Sequence, residues 1–135
     1  MKVKVTTKME CDKSLTLTNN KKVVDLNPKE LLLYATAQCA GLTLHGILDK
    51  ERICPKELEI EVSGTLDTEE VTARSIYTSF NVAFRIECAT MAEQSKIGRA
   101  IRLTTERYCG MIQMLRRIAP LSHEVSIVSV ETVEA

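Results

Sequence analysis

Few side chains in this sequence can do covalent or metal chemistry. Those that stand out are five cysteines, Cys11, Cys39, Cys54, Cys88 and Cys109, and two histidines, His45 and His123. The cysteines form no CxxC pair and the histidines stand far apart, whereas structural zinc sites pair their ligands at short spacing. The expected metal is therefore none, and no cofactor motif appears. A GxSxG elbow is also missing, so an acyl or carbon–carbon hydrolase has no evident nucleophile. What is left is thiol chemistry, in which a thiolate attacks and can be oxidised to a sulfenic acid or a disulfide.

The five thiols are not equivalent. Cys11 lies near a turn, Cys54 precedes Pro55 in a loop, and Cys88 ends a strand, so each has a ready structural reading. Cys39 falls mid-helix between Gln38 and Ala40, where a cysteine is commonly a small apolar filler. Cys109 stands at the end of the second long helix, next to Gly110. The opening MKVKVTTKME has no long apolar run after its basic residues, and no run of about eighteen apolar residues occurs. A cytoplasmic protein is the expectation, and in that compartment the five cysteines are read as thiols and not as a disulfide framework.

The elements that must position these thiols follow from periodicity. KVKVTTKM at 2–9 and SLTLT at 14–18 alternate as strands, Asn19-Asn20 signals a turn, and Lys21 to Leu26 is expected to return as a third strand. Asn27-Pro28-Lys29-Glu30 is a helix start, with Asn27 as cap, Pro28 in the first turn and Glu30 three residues beyond the cap. The helix that follows is apolar on nearly all sides, which calls for burial on nearly all sides. In a chain of 135 residues a second copy of the subunit is expected to supply part of that cover. LEIEVSG at 58–64 and the stretch from Ser75 to Cys88 read as strands, the latter with Ile76, Phe80, Val82, Phe84 and Ile86 facing inward. Met91 to Tyr108 has helical spacing, Gly110 breaks it, Met111 to Ile118 is a further short helix, and Glu124 to Val133 alternates as a last strand. His45, six residues beyond Cys39, points to a different side of the helix and reads as a polar-face or interface residue. Arg116-Arg117 reads as a solvated face or a pair complementing a helix C-terminus.

The order strands, helix, strands, helix, strand gives an α+β fold with a mostly antiparallel sheet, as one domain over residues 1–135. Lys plus Arg and Asp plus Glu each number 18, and aromatic residues make up only 4% with no Trp. Zero net charge gives no support for binding nucleic acid or an acidic membrane surface, and so few aromatics weaken any stacking role.

The segment NPKELLLYATAQC, Asn27 to Cys39, resembles the first-cysteine helix of the OsmC/Ohr family, and IGRAIRLTTERYCGMIQML, Ile97 to Leu115, resembles its second-cysteine motif. The intervening LEIEVSG and FNVAFRIEC strands fall in matching order, so the resemblance covers nearly the whole chain. It implies an intertwined homodimer with antiparallel sheets around a long central helix. It further implies a thiol peroxidase in which Cys39 is the peroxidatic and Cys109 the resolving cysteine. The substrate would be an organic hydroperoxide. The reductant would be an external dithiol of lipoyl or thioredoxin type.

The sequence departs from the family pattern where an Arg from the N-terminal region and a Glu directly after the helix-opening proline would activate the first thiol. Lys29 follows Pro28, and no Arg precedes Arg52. Lys29, Arg102 or Arg107 could supply the positive charge. The alternative is a dimeric, non-catalytic small-molecule binding module of the same fold, with an apolar interface pocket built from Leu42, Met111 and Met114.

Overall fold

The computed structural model describes residues 1–19 and 21–130. Its strands are β1 (Lys2–Met9), β2 (Leu15–Leu17), β3 (Glu57–Leu66), β4 (Tyr77–Cys88) and β5 (Leu121–Ser129), and its α-helices are α1 (Pro28–Lys50), α2 (Met91–Leu103) and α3 (Gly110–Ile118). The fold is α+β with one mixed sheet in the order β2-β1-β3-β4-β5. The pairs β2–β1, β1–β3 and β3–β4 are antiparallel, while β5 lies parallel to β4. A parallel neighbour needs a long crossover; here α2 and α3 form it.

Alternation sorts the sheet into two faces. Val3, Val5, Thr7 and Met9 of β1, Leu58, Ile60 and Val62 of β3, and Phe80, Val82, Phe84 and Ile86 of β4 are buried. The opposite side carries cross-strand ion pairs, Lys8–Glu57 and Arg85–Glu59 at 3.4 Å and Lys4–Glu61 at 3.9 Å. These are exposed pairs, worth about 0.2–1 kcal/mol each, so the buried face dominates stability. α1 packs over β1 and β3, and α2 packs against β5.

The helix start at Asn27 forms as its residues dictate. The Asn27 side chain accepts from the Glu30 N–H at 2.9 Å, and the Glu30 carboxylate accepts from the Asn27 N–H at 3.1 Å. The Tyr77 hydroxyl donates to the Lys29 carbonyl at 2.7 Å, tying the first turn of α1 to β4. Burial pushes the Tyr77 hydroxyl up to about 12, and Glu30 adds to the shift. By length and composition α1 could cross a membrane, contrary to the expectation that no segment could. Here it is a core helix, with Leu33, Ala37, Ala40, Leu44 and Leu48 at 0% exposure.

The structure corrects several expectations. Lys21 to Leu26 is not a strand: Val23–Asp25 is a 3-10 turn, with the Asp25 carboxylate accepting from the Lys22 N–H at 3.3 Å. That local hydrogen bond replaces a strand ladder. Ile76 is 62% exposed, because β4 begins at Tyr77 and an irregularity between Thr65 and Leu66 shifts the β3–β4 register there. The second long helix ends at Leu103 and gives way to a π-helical turn, Thr104–Tyr108. The break after it falls at Cys109, whose ψ is 104°, and Gly110 opens α3. The last strand begins at Leu121; its expected end, Val133, and the turn residue Asn20 lie outside the described residues.

Cys11 and Cys54 are joined in a disulfide with Cα atoms 5.9 Å apart, against the expectation of five free thiols. The topology explains the pairing. β1 ends at Met9 and β3 begins at Glu57, antiparallel neighbours with Lys8 opposite Glu59. The loop after one strand and the loop before the other therefore leave the sheet at the same end. A covalent bridge across 43 residues restricts the unfolded chain, a constraint worth about 4 kcal/mol in the chain-entropy treatment.

Candidate active site

Two of the three remaining thiols meet. Cys39 lies three turns into α1, and Cys109 lies between the π-helical turn and α3. The Cys109 thiol donates to Cys39 Sγ at 3.2 Å. The structure therefore brings together the two cysteines singled out as site residues. Cys88 is buried elsewhere, with its thiol donating to the Thr90 carbonyl at 3.4 Å, and burial pushes its pKa up.

The π-helical turn aims Cys109 at α1. An i→i+5 bond from the Cys109 N–H to the Thr104 carbonyl closes it at 3.0 Å. A wider turn of this kind rotates the residues that follow and is common at functional sites. Gln113 fastens the turn from α3, its Nε2 donating to the Thr105 carbonyl at 2.9 Å. The Thr104 hydroxyl donates to the Ala100 carbonyl at 2.8 Å. Sequence periodicity missed this device, because TTERY continues the apolar spacing of α2 without interruption.

The two thiols differ in environment. Cys109 is 0% exposed, whereas Cys39 is half-buried. Burial is the largest cause raising Cys109 to about 12, and the Cys39 sulfur adds to it. The Ile112 and Met111 N–H groups oppose that rise, because Cys109 is also the N-cap of α3. This amends the reading from sequence, which placed Cys109 only at a helix C-terminus; the dipole of α3 favours charge there, but burial outweighs it. Cys109 thus holds its proton and directs it at the Cys39 sulfur.

A groove of about 460 Å³ is lined among others by Leu42, Ile47, Arg99, Leu103 and Tyr108, and by neither cysteine. Leu42 lies three residues beyond Cys39, on the same side of α1, and Tyr108 immediately precedes Cys109. Met111 and Met114, expected to line an apolar pocket with Leu42, are not part of this groove: Met111 packs on the core, and Met114 is 54% exposed. Arg99 and Lys50 bring positive charge and Glu51 negative charge to its wall. Lys29, ten residues before Cys39, is about 15 Å away along the helix, too far for contact. Arg102 and Arg107 are exposed. Among the described residues, no group of three or more His, Cys, Asp or Glu is placed to hold a metal ion.

His45, read from the sequence as a polar-face or interface residue, is buried within the single chain. It is 1% exposed, and neither ring nitrogen has a hydrogen-bond partner. Burial is the main cause of its lowered pKa. Arg116 and Arg117 occupy the last turn of α3, as the sequence indicated.

Two apposed cysteines on a helix and a helix-linking turn, in an α+β fold of this order, define a family by comparison. Residues 17–124 match the family described as OsmC-like protein, and the chain belongs to that family. Protein YhfA of Escherichia coli K12 is 26% identical over 103 residues, covering 76% of this chain and 74% of its own length. Among solved structures, a hypothetical protein from Aquifex aeolicus VF5 superposes with a TM-score of 0.65 at 22% identity, covering 97% of this chain and 100% of its own. An organic hydroperoxide resistance protein OsmC from Legionella pneumophila gives 0.53 at 16% identity, over 74% of this chain and 69% of its own. At these identities the structural likeness establishes the fold.

Proposed function

We propose that the protein is a thiol peroxidase that reduces organic hydroperoxides, with Cys39 peroxidatic and Cys109 resolving. The observation that carries this reading is the 3.2 Å separation of the two sulfurs. A disulfide needs about 2.05 Å, so closure must bring the two sulfurs roughly an ångström closer than they stand.

The chemistry balances in three steps. The Cys39 thiolate attacks the terminal oxygen of ROOH; the O–O bond breaks, RO⁻ leaves and takes a proton as ROH, and Cys39 becomes a sulfenic acid. Cys109 then attacks that sulfur, its proton leaves with the hydroxyl as water, and the Cys39–Cys109 disulfide forms. An external dithiol, of lipoyl or thioredoxin type, returns both electrons by thiol–disulfide exchange. The groove suits a substrate with an apolar body. The setting is a cytoplasmic homodimer, in which exposed Leu31, Leu42, Met114 and Ile118 give a second copy apolar surface to cover. Neither nucleic acid nor a membrane takes part.

The test is thiol titration under denaturing conditions. With the Cys11–Cys54 bond closed, the protein has three free thiols. One equivalent of cumene hydroperoxide is expected to lower the count to one, Cys88, with one equivalent of cumyl alcohol formed. An unchanged thiol count after exposure contradicts the reading.

A further inference from the structure

The geometry points to Cys11–Cys54 as a second thiol–disulfide exchange site, distinct from Cys39 and Cys109, whose opening releases the 10–14 turn from the end of α1 and uncovers His45.

The turn is a preformed unit. The Glu10 N–H donates to the Ser14 carbonyl at 3.0 Å and the Lys13 N–H to the Glu10 carbonyl at 2.8 Å, with Lys13 at a positive φ of 70°. The Asp12 carboxylate accepts from both the Ser14 hydroxyl and the Ser14 N–H. This unit is held to α1 by a short set of attachments. Met9, at its root, packs so closely on α1 that a Cβ at Gly41 would lie 2.7 Å from its methyl group. Lys13 pairs with Asp49 at 2.8 Å, but both side chains are exposed, so solvent and salt weaken that pair. The Cys11–Cys54 bond is the covalent attachment. Its other end is anchored, because Cys54 follows the α1 cap, in which the Ile53 N–H donates to the Leu48 carbonyl at 2.9 Å.

His45 lies on the face of α1 between Gly41, against which Met9 packs, and Asp49, which pairs with Lys13, and it is buried with both ring nitrogens unpartnered. The groups that act on it are the Met9 backbone, Glu10 and Lys13 from the turn and Asp49 from α1. The Met9 backbone partly offsets the cost of burial, although no ring nitrogen reaches hydrogen-bond geometry. A buried imidazole without partners costs free energy, and lifting the turn lets water satisfy it.

Access decides where exchange begins. Cys54 is exposed and Cys11 half-buried, so an incoming thiolate attacks Cys54 Sγ. A mixed disulfide forms there, and Cys11 leaves as a thiolate that takes a proton from solvent. The second thiol of a dithiol reagent displaces Cys54, and the reagent leaves as its cyclic disulfide. Two electrons pass from the dithiol to the protein.

The experiment uses the full chain with Cys39→Ser and Cys109→Ser, so that its result is independent of the peroxidase reading. The protein is equilibrated in native buffer with dithiothreitol or its oxidised form and followed by NMR of the His45 ring and by amide hydrogen exchange. Reduction is expected to move the His45 pKa up toward its ordinary value and to speed exchange of the amides at 9–14 by about tenfold or more, as local opening requires. The double variant Cys11→Ser with Cys54→Ser should match the reduced form, and chemical reduction of the parent decides the matter if that variant does not fold. A bond that resists dithiothreitol until the whole protein unfolds overturns the proposal. So does a bond that opens and leaves His45 and the turn unchanged.

Discussion

The division of labour between the two apposed thiols can be tested by removing each in turn. Burial raises Cys109 to about 12 from an ordinary 9.0, so much less of it is thiolate at neutral pH than of an ordinary cysteine. Cys109 therefore cannot take over the first attack. In Cys39→Ser the contribution of the Cys39 sulfur to the Cys109 shift is lost while burial remains, so peroxide consumption is expected to fall at least to the level of a free thiol. Cys109→Ser leaves the half-buried Cys39 in place. It should release one equivalent of alcohol and then stop, with a sulfenic acid at residue 39 that dimedone captures. The assay is stopped-flow consumption of cumene hydroperoxide without reductant, followed by mass spectrometry of the residue 39 peptide. If Cys39→Ser consumes peroxide as fast as the parent, or if Cys109→Ser shows no burst, the assignment from burial and hydrogen bonding is wrong.

Further consequences concern the frame around the pair. A Cβ at Gly64 would lie 2.5 Å from two Tyr77 ring atoms, so Gly64→Ala must displace the ring and with it the bond to the Lys29 carbonyl. The expected loss is about 2–4 kcal/mol, read as a melting temperature lower by roughly 7–14 °C. Gln113→Leu leaves the Thr105 carbonyl without its 2.9 Å donor; it should destabilise the protein by about 1–3 kcal/mol and slow formation of the Cys39–Cys109 bond in quench assays. Stability should also fall at both ends of the pH scale in denaturant titrations. Cys109 is raised to about 12 from 9.0, so the unfolded state loses its proton first. That contribution is intact below pH 9.0 and is lost as pH climbs toward 12. His45 is lowered from 6.5, so the unfolded state binds the proton first. Its contribution is intact above pH 6.5 and is lost as pH drops toward the folded value.

Much of this frame was legible in the residues. Asn27-Pro28-Lys29-Glu30 encodes its cap in four neighbouring positions, and the alternation of β1, β3 and β4 encodes which side is buried. Both are local properties. Lys21 to Leu26 read as a return strand because Asn19-Asn20 signals a turn, but the bond from the Lys22 N–H to Asp25 is equally local and prevails. The parallel placement of β5 could not be read, since alternation is the same in either direction. The cysteine pairings are long-range. Cys11 meets Cys54 because β1 and β3 are neighbours, and Cys39 meets Cys109 because a π-helical turn redirects the chain. Family resemblance anticipated the second meeting, whereas residue spacing anticipated neither.

The most direct test of the peroxidase account is peptide mapping of the protein after one equivalent of cumene hydroperoxide, without reduction. The account predicts one new cross-linked species joining the peptide that contains Cys39 to the peptide that contains Cys109, reversed by a dithiol, with the Cys11–Cys54 link and the Cys88 thiol as before. Unlinked Cys39 and Cys109 peptides, or a link through Cys88 instead, would contradict it.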